Sequence, residues 1–121
     1  MKALTVRQPW AWAILSAGKD IENRTWSTRY RGPIAIHAGL AATRMYHAWA
    51  SGWMAAIGVE APELDELSRG CVIGTVELVD CVRDSGSRWA MPDHWHWVLR
   101  NSQTCEPRFV RGGLGLWVLA D

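Results

Sequence analysis

Residues 6–39, VRQPWAWAILSAGKDIENRTWSTRYRGPIAIHAG, contain the pattern that decides the fold. They continue a predicted strand over Ala3–Arg7 into a predicted helix over Pro9–Ala17. Proline suits the first helical turn because its missing N–H would be unpaired there anyway. Gly18 suits a left-handed C-cap, so the helix should end there. A short extended segment over Ile21–Thr25 and a strand over Pro33–Ala38 should follow.

The polar run after Gly18 is the strongest candidate for a functional site. Side chains of an extended segment alternate between two faces. We therefore expect Asp20, Glu22 and Arg24 to share one face, and Ile21, Asn23 and Thr25 to share the other. An acid, an amide and two bases, Lys19 among them, make a poor hydrophobic core and a suitable ligand site. We also expect Lys19 to point into a cleft roofed by Trp10 or Trp26, with Glu22 or Arg24 within reach of its ammonium group.

The remaining elements predict an α+β fold in one domain over residues 1–121. Strands dominate both ends of the chain and helices the middle, which favours a curved or closed sheet over a βαβ repeat. A chain of 121 residues is long enough for one core and too short for two. The further predicted elements are a helical region over 40–58 that bends or breaks at Gly52, a helical turn in Pro62–Ser68, a loop over Asp84–Pro92, and strands over Cys71–Val82, His94–Leu99 and Leu114–Leu119.

Composition excludes some classes of protein. A formal net charge of +1 gives no global basic surface, which argues against a histone-like binder. Any contact to nucleic acid must then come from local clusters such as Arg24, Arg29 and Arg31. No apolar run approaches the ~20 residues that span a membrane, and residues 1–10 lack the apolar segment of a signal peptide. Three cysteines without C-x-x-C spacing predict free thiols and a cytoplasmic protein.

Nine tryptophans are unusual in so short a chain. Tryptophan is enriched where one end of the side chain meets solvent or a ligand. We predict that three tryptophans belong to the core: Trp49 and Trp53, on a helical stripe with Met45, and Trp117, on a strand. Trp10 and Trp26, at element ends beside polar residues, are predicted to line a cleft with Trp89 in a nearby loop.

The histidines leave a metal site as the weaker alternative. On a strand, His94 and His96 would share one face, but the cysteines lack ligand spacing and no carboxylate completes a set. Two half-exposed histidines are the favoured interpretation, and we predict no metal and no cofactor. His37 is predicted to lie in the core or at the cleft edge.

Several motifs carry a family resemblance. QPWA at 8–11, GKDIENR at 18–24, RGPIAIHA at 31–38, GCVIGTVELVDC at 70–81 and GGLGLWVL at 112–119 together resemble the ASCH domain, a branch of the PUA-like superfamily. The resemblance implies a PUA-like small β-barrel with flanking helices. It also implies a cleft for nucleic acid, RNA more than DNA, or for a nucleoside-like small molecule. Candidate ligand-binding residues are Arg7, Trp10, Asn23, Arg24, Trp26, Arg29 and Arg31.

The resemblance also leaves an enzyme open. Some small ASCH proteins are amidohydrolases that remove the acetyl group of N4-acetylcytidine, with a Lys, a Thr three residues later and a Glu further along. Lys19 matches the Lys, but Glu22 stands in the Thr position, and only Glu77 or Asp80 is a candidate for the later acid. Lys19 and Glu22 would otherwise be an acid–base pair of an amidohydrolase or a ribonuclease. A third hypothesis is a protein-interaction domain with an exposed tryptophan surface. The sequence does not determine the oligomeric state of the protein.

Overall fold

The computed structural model describes residues 1–121. It consists of a six-stranded sheet, curled into half a barrel, and two helices. The strands are β1 (Lys2–Val6), β2 (Ile21–Arg24), β3 (Gly32–Ala38), β4 (Cys71–Val82), β5 (Trp95–Phe109) and β6 (Leu116–Val118). The helices are α1 (Trp10–Ser16) and α2 (Arg44–Ala56), with a 3₁₀ turn at Leu64–Glu66. The predicted α+β, PUA-like fold is confirmed.

The sheet order β2-β5-β4-β3-β1-β6 places β2 and β1 far apart along the hydrogen-bonded ladder. Strands β1 and β3 are parallel, and the other pairs are antiparallel. Nevertheless, Arg24 of β2 donates a hydrogen bond from Nη2 to the carbonyl of Thr5 in β1, at 2.9 Å. The sheet therefore curls until these two strands face each other across an opening, and the candidate site lies in that opening.

Helix α1 and its terminal turn direct the chain into this opening. Trp10, Ala13 and Ile14 are buried on the helix face that packs against the sheet. Gly18 has a φ of +71°, as the predicted left-handed turn requires, and the Lys19 N–H reaches back to the Ala13 carbonyl at 3.1 Å. The turn positions Lys19 between helix and sheet, immediately before β2.

Two predicted boundaries are wrong. Helix α2 runs without interruption through Gly52, which is exposed, so the glycine costs helix stability without breaking the hydrogen-bonded ladder. Strand β5 extends ten residues beyond the predicted end at Leu99, to Phe109. Residues 100–109 are exposed and mostly polar, and backbone pairing with β4 keeps them extended, so no apolar alternation could reveal them.

The core lies between α1, α2 and the inner face of the sheet. Trp89, expected near the cleft, is instead buried in this core with Trp97. Trp117 is half-buried and packs on a smaller cluster of Ala3, Ala35 and Val72. Cys71 is buried, and its pKa is raised by burial and by the nearby Cys105. No helix combines the length and the apolar character needed to cross a membrane.

Replacement of Gly74 should be strongly destabilising. A Cβ at this β4 position would lie 2.3 Å from the carbonyl oxygen of Gln103 in β5 and 2.7 Å from a methyl of Leu15 in α1. Because the nearest atom is backbone, the sheet itself must shift. We expect Gly74→Ala to lower the free energy of unfolding by about 3 kcal/mol or more, measured by urea denaturation.

Gly52→Ala is the matched control. A Cβ at this exposed helical position meets no atom within 4 Å. The change should raise the free energy of unfolding by about 0.5–1 kcal/mol, because alanine loses less backbone entropy in a helix. Equal effects of both substitutions would contradict the close approach of β4, β5 and α1.

Candidate nucleic-acid interface

The opening between β1, β2 and α2 forms a cleft of about 630 Å³, a size typical of small-ligand sites. Its residues come from six parts of the chain. They are Thr5, Val6 and Arg7 at the end of β1, Trp10 of α1, Lys19 and Glu22–Trp26 around β2, Gly39–Ala41 after β3, Tyr46 and Trp49 of α2, and Met91 and His94 before β5.

A buried ion-pair network forms the floor of this cleft. Lys19 is only 3% exposed, and its Nζ lies 3.0 Å from Oε1 of Glu22. The same ammonium donates to the carbonyl of Ile21. From the other side, Nε and Nη2 of Arg24 lie 3.0 and 2.9 Å from Oε2 of Glu22. The carboxylate is therefore held between two cations, and the alternation that puts Glu22 and Arg24 on one face of β2 is as expected.

Glu22 remains ionised despite its burial. Loss of water contact by itself would raise the pKa of the carboxyl. The charges of Lys19 and Arg24, with the hydrogen bonds that both donate, outweigh this effect and hold the pKa of Glu22 below its usual value. The floor thus carries two cations and one anion at neutral pH.

Aromatic side chains form the walls. Trp26 is 38% exposed and stands edge-on against buried Trp97, with ring centres 4.7 Å apart. Trp10 lies beneath Lys19, whose Nζ is 5.7 Å from the ring centre, and donates from Nε1 to the hydroxyl of Tyr46. Trp49 packs edge-on against Trp10 at 6.0 Å and is 53% exposed. The prediction that Trp49 belongs to the core is wrong, because α2 buries Ala50 and Met54 in the core and leaves Trp49 at the cleft.

A family model named "ASCH domain" matches residues 4–107, which includes the whole of this floor and Trp26. The chain belongs to the ASCH domain family. It is also similar to activating signal cointegrator 1 of Homo sapiens, at 25% identity over 96% of this chain, and to the protein of that name of Mus musculus, at 24% over 96%. The chain spans about a fifth (22%) of the length of these curated relatives.

Asn23, on the opposite face of β2, anchors a loop of this ASCH domain. Its Nδ2 donates to the Trp89 carbonyl at 3.0 Å, and its Oδ1 accepts from the Met91 N–H at 2.9 Å. Both ends of the amide are therefore engaged by backbone. Although Asn23 borders the cleft, its main role is to hold Met91 in the wall.

The four arginines predicted to bind a ligand do not lie together. Arg24 is in the floor, and Arg7 lies at the rim with its guanidinium 4.5 Å from the ring centre of Tyr46. Arg29 and Arg31 are exposed on the segment after Trp26 and do not line the cleft. Arg31 instead contacts Asp80 at 3.7 Å.

The two strand histidines have different environments. His96 is buried, with Nδ1 accepting from the Ser85 N–H and Nε2 donating to the Met91 carbonyl. The expectation of two half-exposed histidines is wrong for His96, because the loop before β5 folds over it. His94 precedes β5 and borders the cleft. His37 is buried and bonded to Thr5 and Val110. No group of three or more His, Cys, Asp or Glu side chains is placed to hold a metal ion.

The sequence did not predict the lining side chains that come from distant segments of the chain. Tyr46, Trp49, Leu40, Met91 and His94 reach the cleft from segments far from β2 in the chain. Thr25 was expected on the face opposite Glu22, yet it borders the same cleft because β2 ends at Arg24 and the chain turns there. Only the helical spacing of Tyr46 and Trp49, three residues apart, carried a signal that they share a face.

Glu22→Gln should destabilise the protein in a pH-dependent manner. The substitution leaves Lys19 buried without a counter-charge, which costs about 3 kcal/mol at neutral pH. Because the pKa of Glu22 is lowered by folding, its contribution is complete above the unfolded value of 4.5 and is lost as the pH falls below that value. The difference in unfolding free energy between wild type and variant should therefore shrink on acidification, as followed by urea denaturation.

Glu60→Gln, at an exposed site, is the control and should change stability little at any pH. A Glu22→Gln effect that is absent or independent of pH would mean that the buried pair does not stabilise the fold.

Proposed function

We propose that this ASCH domain binds single-stranded nucleic acid, RNA in preference to DNA, by taking an unpaired base into the cleft. The observation that supports this most is an aromatic wall beside a polar floor. Trp26 and Trp49 expose ring surface on which a base can stack, and Lys19, Glu22 and Arg24 offer hydrogen-bonding groups below. The family resemblance to ASCH proteins favours the same kind of ligand.

The charge distribution favours stacking over phosphate attraction as the main source of affinity. Glu22 already neutralises part of the charge of Lys19 and Arg24. Arg7 at the rim and Arg29, on the segment that follows Trp26, remain for phosphate contacts, whereas Arg31 already pairs with Asp80. Since each neutralised phosphate of a single strand contributes about −0.7 to the salt slope, binding should weaken with salt only moderately.

Fluorescence anisotropy with short single- and double-stranded RNA and DNA tests this proposal. We expect the single-stranded RNA to bind best, because duplex bases are already stacked and unavailable. Trp26→Ala should weaken binding by about 1–3 kcal/mol, the usual contribution of one base–aromatic stack.

Trp12→Ala removes an indole that is half-buried outside the cleft and is the matched control. Lack of binding to all four nucleic acids at low salt, or an equal loss in both variants, would overturn the proposal.

Hydrolysis is the second candidate, and one observation favours it. Thr25 borders the cleft together with Lys19 and Glu22, so a hydroxyl is present although not at the expected spacing. Glu77 and Asp80 are exposed on β4 and outside the cleft, so Glu22 would have to serve as the acid–base group. Lys19 would orient the carbonyl oxygen of the acylated base.

Incubation with N4-acetylcytidine, and separately with RNA with and without divalent metal, tests this candidate. An amidohydrolase should release acetate and cytidine, and Thr25→Val and Lys19→Ala should each abolish release. Turnover that persists in both variants, or no turnover of either substrate, would leave binding as the function.

A protein-interaction surface is the third candidate. Three apolar side chains are strongly exposed: Leu40, Met45 and Leu114. If they form a protein-binding surface, the molar mass measured by light scattering should rise with protein concentration. The cytoplasmic location and the single-domain boundary at 1–121 stay predictions from the sequence.

A further inference from the structure

The floor of the cleft has donors that no protein group uses. Lys19 has three N–H donors, of which one is directed to the Ile21 carbonyl and one to Glu22. Arg24 commits Nε to Glu22, and Nη2 to Glu22 and the Thr5 carbonyl. Its Nη1 group, with two N–H donors, makes no hydrogen bond within the protein, and the side chain lines the cleft and is 23% exposed.

The carboxylate between these donors has one acceptor position left. Oε2 of Glu22 receives two contacts from Arg24, whereas Oε1 receives one, from Lys19. A carboxylate oxygen accepts about two hydrogen bonds, so Oε1 can take one more. Across the floor, the uncommitted groups are a donor on Lys19, an acceptor on Glu22 and a donor on Arg24.

We propose that the cleft selects the acceptor–donor–acceptor edge of a 2,4-dioxopyrimidine, the edge that uracil and thymine present. This inference rests on the proposed function and names the base that the site takes. The two ring carbonyls accept from Lys19 and Arg24, and the N3–H between them donates to Glu22. Uracil is the one standard RNA base with this order of groups.

The other bases place at least one wrong group against the floor. Cytosine and adenine present an amine beside an unprotonated ring nitrogen, so a lone pair would face the Glu22 carboxylate and an N–H would face a cation. Guanine presents a carbonyl, an N–H and an amine, and its amine opposes a donor. Because the pKa of Glu22 is lowered, the carboxylate stays ionised at neutral pH and cannot donate to a cytosine or adenine ring nitrogen.

The walls do not supply this selectivity. Stacking on Trp26 tolerates every base because each base has a π-face. By contrast, a buried polar group left without its partner penalises the wrong ligand strongly. Discrimination must therefore come from the floor, and it should survive when the wall is altered.

The test varies the ligand, so it does not depend on whether floor variants fold. Anisotropy is measured with single-stranded oligonucleotides of one base each: oligo-U, oligo-C, oligo-A and oligo-dT, and oligo-U methylated at N3. We expect oligo-U and oligo-dT to bind at least about tenfold more tightly than oligo-C and oligo-A, the discrimination that one correct hydrogen-bonded pair provides. Methylation at N3 removes the donor to Glu22 and should abolish the preference.

Comparison of oligo-U with oligo-dT distinguishes an RNA from a DNA source of the edge, and competition by uridine shows whether the nucleoside suffices. Trp26→Ala should weaken the binding of all ligands while keeping the ratios of their affinities. Arg108→Ala, at the far end of β5, should change neither the affinities nor their ratios. Binding of all bases within about threefold, or full affinity for the N3-methylated strand, overturns the selectivity while the proposed function stands. Absence of binding to every strand at low salt overturns both.

Discussion

The carboxylate of Glu22, held between Lys19 and Arg24, is the interaction on which the rest of the structure depends. A buried charge is tolerated only when it is paired and hydrogen-bonded, and here both partners are needed. Lys19 lies in the turn after α1, and Glu22 and Arg24 lie on β2. Arg24 also donates a hydrogen bond to a backbone carbonyl of β1. One network thereby joins the end of a helix to two strands that share no ladder.

This bridge explains why the half-barrel has an open, polar mouth. Three intervening strands separate β2 from β1, so no backbone pairing closes the sheet between them. A guanidinium spans the gap instead, and the space around it becomes the cleft. Trp10 packs beside Lys19 of this network, and Trp26, two residues after Arg24, borders the same cleft.

The same network limits how the site can attract a ligand. Glu22 neutralises half of the charge of Lys19 and Arg24, so the floor keeps less positive charge than a phosphate-binding surface would offer. What remains are directional donors and one acceptor beneath ring surfaces, an arrangement suited to a base edge. The arginines without a carboxylate partner, Arg7 and Arg29, lie at the rim or beyond it.

Local sequence determined the helix α1, its stop at Gly18, the facing of Glu22 and Arg24, and strand β4, because each depends on backbone conformation or alternation over a few residues. It also placed Lys19 near Glu22, since three residues of extended chain keep a lysine within reach. Only the tertiary structure decided that Trp49 faces the cleft and Trp89 the core, because a tryptophan side chain suits either environment. The extension of β5 through polar residues was also visible only in the tertiary structure, because backbone pairing with β4 rather than side-chain burial holds this part of the strand. The tertiary structure also excluded Arg29 and Arg31 from the cleft and brought in Tyr46, Met91 and His94, since long-range contacts leave no local pattern in the chain.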